Sequence, residues 1–122
     1  MGNVLIIDDE PAIGDYLARL IIRMGHQTTT AVTAITALDK IDKATFNLII
    51  ADICLPDSPN PRDWITALTQ KSKGIPIVLI TGAPSEEINT YATEHGVSFF
   101  LSKPFELAFI RDIIEKVFPK NQ

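Results

Sequence analysis

Short runs of apolar and β-branched residues alternate along the chain with longer segments in which apolar residues recur every three or four positions. The short runs predict β-strands, and the longer segments predict amphipathic helices. Strands are expected at residues 3–7, 27–31, 47–51, 75–80 and 97–101. Helices are expected at residues 11–24, 33–43, 63–73 and 105–118, and in a segment that begins at Ser85. This alternation predicts a doubly wound α/β domain. Because the first, third and fourth strands are apolar throughout, we expect a parallel sheet that is buried on both faces.

Length, charge and cysteine content narrow the class of protein. The chain has 122 residues, so we expect a single domain over residues 1–122. Eleven Lys and Arg residues against fifteen Asp and Glu residues give a net charge of −4, which argues against a nucleic-acid-binding face. Cys54 is the only cysteine, which excludes an internal disulfide and a metal–thiolate cluster. The longest apolar runs are too short for a membrane helix or a signal peptide, so the cytoplasm is the expected compartment.

Charged and polar side chains follow four of the predicted strands. These residues are Asp8, Asp9 and Glu10 after the first strand, Asp52 after the third, Thr81 after the fourth and Lys103 after the fifth. Ligand sites of open parallel sheets lie at the carboxyl ends of the strands, near the point where the strand order reverses. We therefore expect these side chains to converge on one edge of the sheet.

The converging carboxylates predict a cation site, because like charges raise each other's pKa unless a cation compensates them. Oxygen ligands without a His or Cys set favour Mg²⁺. Lys103 adds a second positive charge, and Thr81 adds a hydroxyl donor. A metal ion, a lysine and a hydroxyl around one carboxylate are typical of a phosphoryl-transfer site. Asp52 is central to this arrangement and is the predicted nucleophile, which would form an aspartyl-phosphate.

Four segments contain the residues of the predicted site: VLIIDDE at residues 4–10, LIIADICLP at 48–56, VLITG at 78–82 and FFLSKPF at 99–105. In this order, the four segments resemble the receiver (CheY-like) domain of two-component response regulators. The resemblance implies a flavodoxin-like sheet with strand order 2-1-3-4-5 and five helices. It also implies a signalling switch rather than an enzyme that acts on a separate substrate. A histidine kinase or phosphotransfer protein would donate the phosphoryl group, and the face formed by the fourth helix, fifth strand and fifth helix would contact an output partner.

The resemblance implies a role for each matching residue of the site. Asp52 is the expected phosphoacceptor, and Lys103 is expected to pair with the phosphoryl oxygens. Asp9 would bind Mg²⁺ directly and Asp8 mostly through water. Asp52 and the backbone carbonyl of Cys54 would be further metal ligands.

The resemblance also implies a switch. Thr81 would move to hydrogen-bond the new phosphoryl group, and Phe100, at the switch-aromatic position, would then turn inward. The bond between Lys103 and Pro104 is one that the family often makes cis.

The chain departs from the family pattern at several positions. The loop at residues 57–63 lacks the usual Gly and carries two additional prolines, which should stiffen it. Phe100 replaces the commoner Tyr, so no hydroxyl is available there. The fourth helix lacks the basic residues of the winged-helix subfamily, so we do not assume that subfamily's active dimer. Cys54 and Ala83 occupy positions that tune phosphoryl hydrolysis, and neither can orient a water molecule. We therefore expect a long-lived phosphorylated form.

Other classes of protein fit the sequence less well. A phosphatase with an aspartate nucleophile after the first strand usually needs Asp-x-Asp, whereas Asp8 and Asp9 are adjacent. A flavin-binding protein would need a phosphate loop of Ser, Thr or Gly at that position. The alternative that we retain is an unphosphorylated pseudo-receiver that acts as a protein–protein interaction module. The intact set of Asp8, Asp9, Asp52, Thr81 and Lys103 argues against it.

Four further residues have simpler interpretations. Glu10 is interpreted as an acid that begins a helix, where negative charge is favourable. Trp64 is expected to anchor the third helix, and nothing in the sequence connects it with function. His26 and His95 lie beside Gly25 and Gly96 at predicted helix ends, where a positive charge is favourable.

Overall fold

The computed structural model describes residues 2–119, in which helices cover both faces of a five-stranded parallel sheet. The strands are β1 Asn3–Ile7, β2 Gln27–Ala31, β3 Leu48–Asp52, β4 Ile77–Thr81 and β5 Phe99–Ser102. The helices are α1 Pro11–Arg23, α2 Ala34–Lys43, α3 Pro61–Lys71, α4 Glu86–Glu94 and α5 Leu107–Val117. The strand order is β2-β1-β3-β4-β5, which confirms the predicted doubly wound fold and its order.

Burial on both faces of the sheet explains why its central strands are apolar without alternation. Leu5 and Ile7 of β1 face the layer formed by α2, α3 and α4. Val4 and Ile6 of the same strand face α1 and α5. Every residue of β3 and β4 is buried. The strand order reverses between β1 and β3, so the carboxyl ends of these two strands form the crevice in which such folds place a site.

Helix α3 begins two residues earlier than the sequence pattern predicts. The side chain of Asn60 accepts hydrogen bonds from the backbone amides of Arg62 and Asp63, at 3.0 and 3.3 Å, and therefore caps the helix. Pro61 occupies the first helical position, where its missing N–H removes no hydrogen bond. Pro61, which the sequence pattern places in a stiff loop, is thus the first residue of the helix.

Strands β3 and β4 each extend one residue beyond the predicted end. The backbone amide of Ile53 donates to the carbonyl of Ile80 at 2.9 Å, and the amide of Lys103 donates to the carbonyl of Thr81 at 2.7 Å. These bonds continue the sheet pairing up to Asp52 and Thr81. Both residues therefore end their strands rather than follow them.

The two histidines at helix ends differ in their hydrogen bonding. Gly25 ends α1 with a φ of 96°, as its position predicts. His26 does not use the favourable position for a positive charge, because its Nδ1 accepts a hydrogen bond from the amide of Gly2 at 3.0 Å and is therefore unprotonated. Burial also lowers the pKa of His26 below its ordinary value. The Nδ1 of His95 lies 2.8 Å from the carbonyl of Tyr91 and can donate to it.

Among residues 2–119, no helix is both long enough and apolar enough to span a membrane.

Candidate phosphoryl-transfer site

Four acidic side chains lie together at the carboxyl ends of β1 and β3. Oxygen atoms of Asp8, Asp9, Glu10 and Asp52 all lie within 4.8 Å of one another. Asp8 and Asp52 are only 3% and 5% exposed, whereas Asp9 and Glu10 are exposed to solvent. The predicted convergence of these carboxylates is thus present in the fold. Two of the four are buried deeply enough to need a compensating charge.

Lys103 supplies a positive charge to this acidic cluster. Its Nζ lies 2.8 Å from Oδ2 of Asp52, 3.2 Å from Oε1 of Glu10 and 3.4 Å from Oδ2 of Asp8. The backbone amide of Lys103 is fixed by its bond to the carbonyl of Thr81, and the peptide bond to the next residue, Pro104, is cis. Lys103, directly after β5, therefore extends its ammonium group past the end of β4 to the ends of β3 and β1.

The pKa values of Lys103 and Asp8 reflect this environment. Burial lowers the pKa of the Lys103 ammonium, but the hydrogen bond and charge of Asp52, followed by the charge of Asp8, outweigh it. The pKa of Lys103 is consequently raised well above its ordinary value, and the side chain stays protonated. Burial raises the pKa of Asp8, while the amide of Glu10 and the charge of Lys103 oppose the shift.

The donor set of the cluster fits a hard divalent cation. Oδ1 of Asp8 accepts from the amide of Glu10 at 2.9 Å, but Oδ2 is buried and accepts no hydrogen bond among residues 2–119, although Lys103 Nζ lies 3.4 Å from it. A buried carboxylate oxygen of this kind needs a partner. The neighbouring ligands are all carboxylate oxygens, which Mg²⁺ prefers. The residues present therefore fit Mg²⁺.

Asp52 is held by contacts to both its side chain and its backbone. Its Oδ1 accepts from the amide of Cys54 at 2.9 Å, and its Oδ2 accepts from Lys103. Its backbone carbonyl accepts from the indole Nε1 of Trp64 at 3.0 Å. Burial, followed by the charge of Asp52, raises the pKa of the Cys54 thiol, so this cysteine stays protonated near neutral pH.

The two predicted switch residues lie on the neighbouring strands β4 and β5. Thr81 is buried at the end of β4, where its Oγ1 accepts from the amide of Ala83 at 3.0 Å. Phe100 of β5 pairs with Leu79 of β4 and is half-buried against the layer of α2, α3 and α4. Phe99 packs on the opposite face, with α1 and α5.

Three residues contribute to the site region in ways that the sequence interpretation missed. Glu10 contacts Lys103 and does not act only as a helix-start acid. The indole of Trp64 binds the backbone of Asp52, so this residue is connected with the site. Asp57 reaches from the loop after β3 to the amides of Ala34 and Ile35 at the start of α2. The sequence signal for Trp64 is the Asn-Pro pair at 60–61, which places α3. The signal for Asp57 is its closeness to Asp52 in sequence.

Comparison with known proteins gives the class of this chain. The family model for the response regulator receiver domain matches residues 4–115. The transcriptional regulatory protein CusR of Escherichia coli strain K12 is 32% identical over 106 residues, which are 87% of this chain and 46% of that protein. The response regulator protein PilR of Pseudomonas aeruginosa is 30% identical over 112 residues, or 92% of this chain and 25% of that protein.

A solved structure agrees with the family match. The chemotaxis protein CheY4 of Vibrio cholerae superposes with a TM-score of 0.84 at 27% identity, covering 97% of this chain and 99% of that one. The chain belongs to the response regulator receiver domain family. It spans less than half the length of the curated relatives named above. Receiver domains bind Mg²⁺ at an acidic pocket, interact with histidine kinases and output domains, and are not enzymes in the usual sense.

Proposed function

We propose that this chain is a single receiver domain that accepts a phosphoryl group onto Asp52 in the presence of Mg²⁺. The donor would be the phosphohistidine of a histidine kinase or phosphotransfer protein. The contact between Lys103 Nζ and Asp52 Oδ2, at 2.8 Å inside the acidic cluster, carries the proposal. It places a fixed cation next to a buried carboxylate at the point where the strand order reverses.

Five residues of the site have a role in the proposed transfer. A carboxylate oxygen of Asp52 forms the new O–P bond while the bond from phosphorus to the donor nitrogen breaks, and the departing imidazole takes up a proton. Lys103 balances negative charge on the phosphoryl oxygens. Asp8, Asp9, Asp52 and the backbone carbonyl of Cys54 would hold Mg²⁺. When bound, the metal ion supplies further positive charge to the transferred group.

The proposed switch follows from the new charge on Asp52. Thr81 accepts a bond through Oγ1 but donates none among residues 2–119, so its hydroxyl proton can turn towards a phosphoryl oxygen. Phe100, half-buried on the adjacent strand, can then move inward. A phosphoryl group that makes these contacts in only one of two conformations shifts the population towards it. The face formed by α4, β5 and α5 would present this change to a partner or output module.

Two further features belong to the proposal. The phosphorylated form should last for minutes or longer, because Cys54 and Ala83 cannot orient a water molecule for hydrolysis. A half-life of seconds after removal of the donor would contradict this expectation. We also propose that the protein acts in the cytoplasm, because a kinase makes phosphohistidine from ATP there.

Intact-mass analysis after incubation with acetyl phosphate and Mg²⁺ tests the proposal. We expect one phosphoryl adduct that requires Mg²⁺ and is absent from the Asp52→Asn variant. An adduct that persists in this variant would move the phosphoacceptor to another residue. A folded wild-type protein without any adduct would favour the unphosphorylated interaction module.

A further inference from the structure

Trp64 lies in the first turn of α3, directly beneath the end of β3. It is the only tryptophan of the chain and is 1% exposed. Its indole Nε1 donates to the backbone carbonyl of Asp52 at 3.0 Å. The contact joins the proposed phosphoacceptor to a helix that begins nine positions later, so it does not result from chain proximity alone.

The peptide link that follows Asp52 is held at both of its polar groups. The carbonyl of this link accepts from Trp64 of α3, and its amide, on Ile53, donates to the carbonyl of Ile80 of β4. A peptide unit is planar, so fixing both groups fixes the orientation of the whole unit. The next amide, that of Cys54, in turn donates to the Asp52 side chain at 2.9 Å.

We propose that Trp64 is a positioning residue for phosphoryl transfer: its indole N–H fixes the peptide unit that sets the direction of the Asp52 carboxylate. The inference rests on the proposed function of Asp52. Phosphoryl transfer depends mainly on positioning and charge, and a misplacement of about 1 Å can reduce a rate by roughly a hundredfold. Without the indole bond, only the bond from the Ile53 amide to Ile80 holds this peptide unit, so the direction of the Asp52 carboxylate is less well fixed.

Replacement of Trp64 by benzothienylalanine separates this role from packing, because the analogue keeps the shape of the ring and removes only the N–H. Trp64→Phe provides a second, genetically encoded variant. Leu68→Ala is the matched control, because Leu68 is fully buried on the same helix face and makes no side-chain hydrogen bond. The readout is the first-order rate constant of phosphorylation at saturating acetyl phosphate and Mg²⁺. It is measured under conditions in which urea unfolding shows that every variant is folded.

We expect the analogue and Trp64→Phe to lower this saturating rate constant at least tenfold, and Leu68→Ala to change it less than twofold. An analogue that is phosphorylated at the wild-type rate would overturn the positioning role. An equal loss in Leu68→Ala would also overturn it, because the effect would then follow packing alone. Failure of the proposed function is distinguishable, because the wild-type protein itself would then acquire no adduct.

Discussion

The N-terminus of α2 is held by a carboxylate from a different loop. Asp57 Oδ1 accepts from the amide of Ala34 at 2.8 Å, and its Oδ2 accepts from the amide of Ile35 at 3.0 Å. Thr33 Oγ1 accepts from the amide of Thr36 at 3.1 Å. The first amides of a helix have no partner inside the helix. In α2, side chains from two separate segments satisfy three of these amides.

The cost of removing Asp57 follows from these contacts. Loss of a helix-capping side chain costs about 1 kcal/mol, and loss of a negative charge at a helix N-terminus costs about 0.3–1 kcal/mol more. Asp57 is exposed, so only these two costs apply. We therefore expect Asp57→Ala to lower the free energy of unfolding by about 1–2 kcal/mol near pH 7. Asp57→Asn keeps one acceptor oxygen and should lose about half as much.

The effect of Asp57 should depend on pH. The hydrogen bonds from the Ala34 and Ile35 amides lower the pKa of Asp57 below its ordinary value. A depressed carboxyl pKa contributes stability that is present above the ordinary value, near 3.8, and is lost as pH falls through the lower value of the folded state. The difference between wild type and Asp57→Ala should therefore shrink as the solution is acidified below about pH 4.

Urea unfolding provides the measurement, with Asp63→Ala as the control. Asp63 is an exposed acid in the first turn of α3, and its carboxylate accepts no hydrogen bond among residues 2–119. At a slope of about 2 kcal/mol per molar urea, Asp57→Ala should move the midpoint by roughly 0.5–1 M, and Asp63→Ala by less. Equal shifts for the two variants would refute the role of the Asp57 hydrogen bonds. A difference from wild type that is undiminished in acid would refute the role of its charge.

Three further predictions concern a lysine, a tyrosine and a histidine. Lys103→Met leaves two buried carboxylates without their cation, so we expect a loss of about 3 kcal/mol in Mg²⁺-free urea unfolding at neutral pH. Because the pKa of Lys103 is raised, the difference in stability between wild type and Lys103→Met should be fully present below pH 10.5, the ordinary pKa of lysine. It should disappear in stronger alkali. Tyr91→Phe removes the bond of 2.6 Å between the Tyr91 hydroxyl and Thr66 Oγ1 and should lower stability by about 1 kcal/mol in the same assay. His26→Gln should remove a decline in stability that the wild type shows as pH falls below about 6.5, where the unfolded state takes up a proton before the folded state does. Indistinguishable pH profiles would contradict this last prediction.

The order of strands and the clustering of acids could be predicted because both depend on patterns of residue type. Apolar runs identify buried strands, and a parallel sheet brings the residues at its carboxyl ends together whatever their separation in sequence. Asp8, Asp52 and Lys103 meet for this reason. No finer knowledge of side-chain geometry was needed.

The contact of Trp64 with Asp52 could not be predicted, because it depends on where α3 begins. A shift of two residues moves a side chain about 3 Å along a helix axis and rotates it by roughly 200°. The sequence interpretation placed the start at Asp63, whereas the cap at Asn60 places it at Pro61. The contact between Glu10 and Lys103 was missed for a different reason, since the choice of partner by an exposed carboxylate depends on its rotamer.

The loop between β3 and α3 lacks the glycine that is usual in this family, yet its geometry needs none. No residue other than glycine has a positive φ among residues 2–119, so the loop closes within the ordinary backbone regions. A bridge between Leu55 and Ser58 tightens it, and side chains fix its two sides. Asp57 attaches the loop to α2, and Trp64 attaches α3 to the carbonyl at the loop's start. The two attachments differ in what they touch, because only Trp64 contacts the backbone of the proposed phosphoacceptor. Loss of Asp57 should therefore lower stability with little change in the phosphorylation rate, whereas loss of the Trp64 N–H should lower the rate in a protein that remains folded.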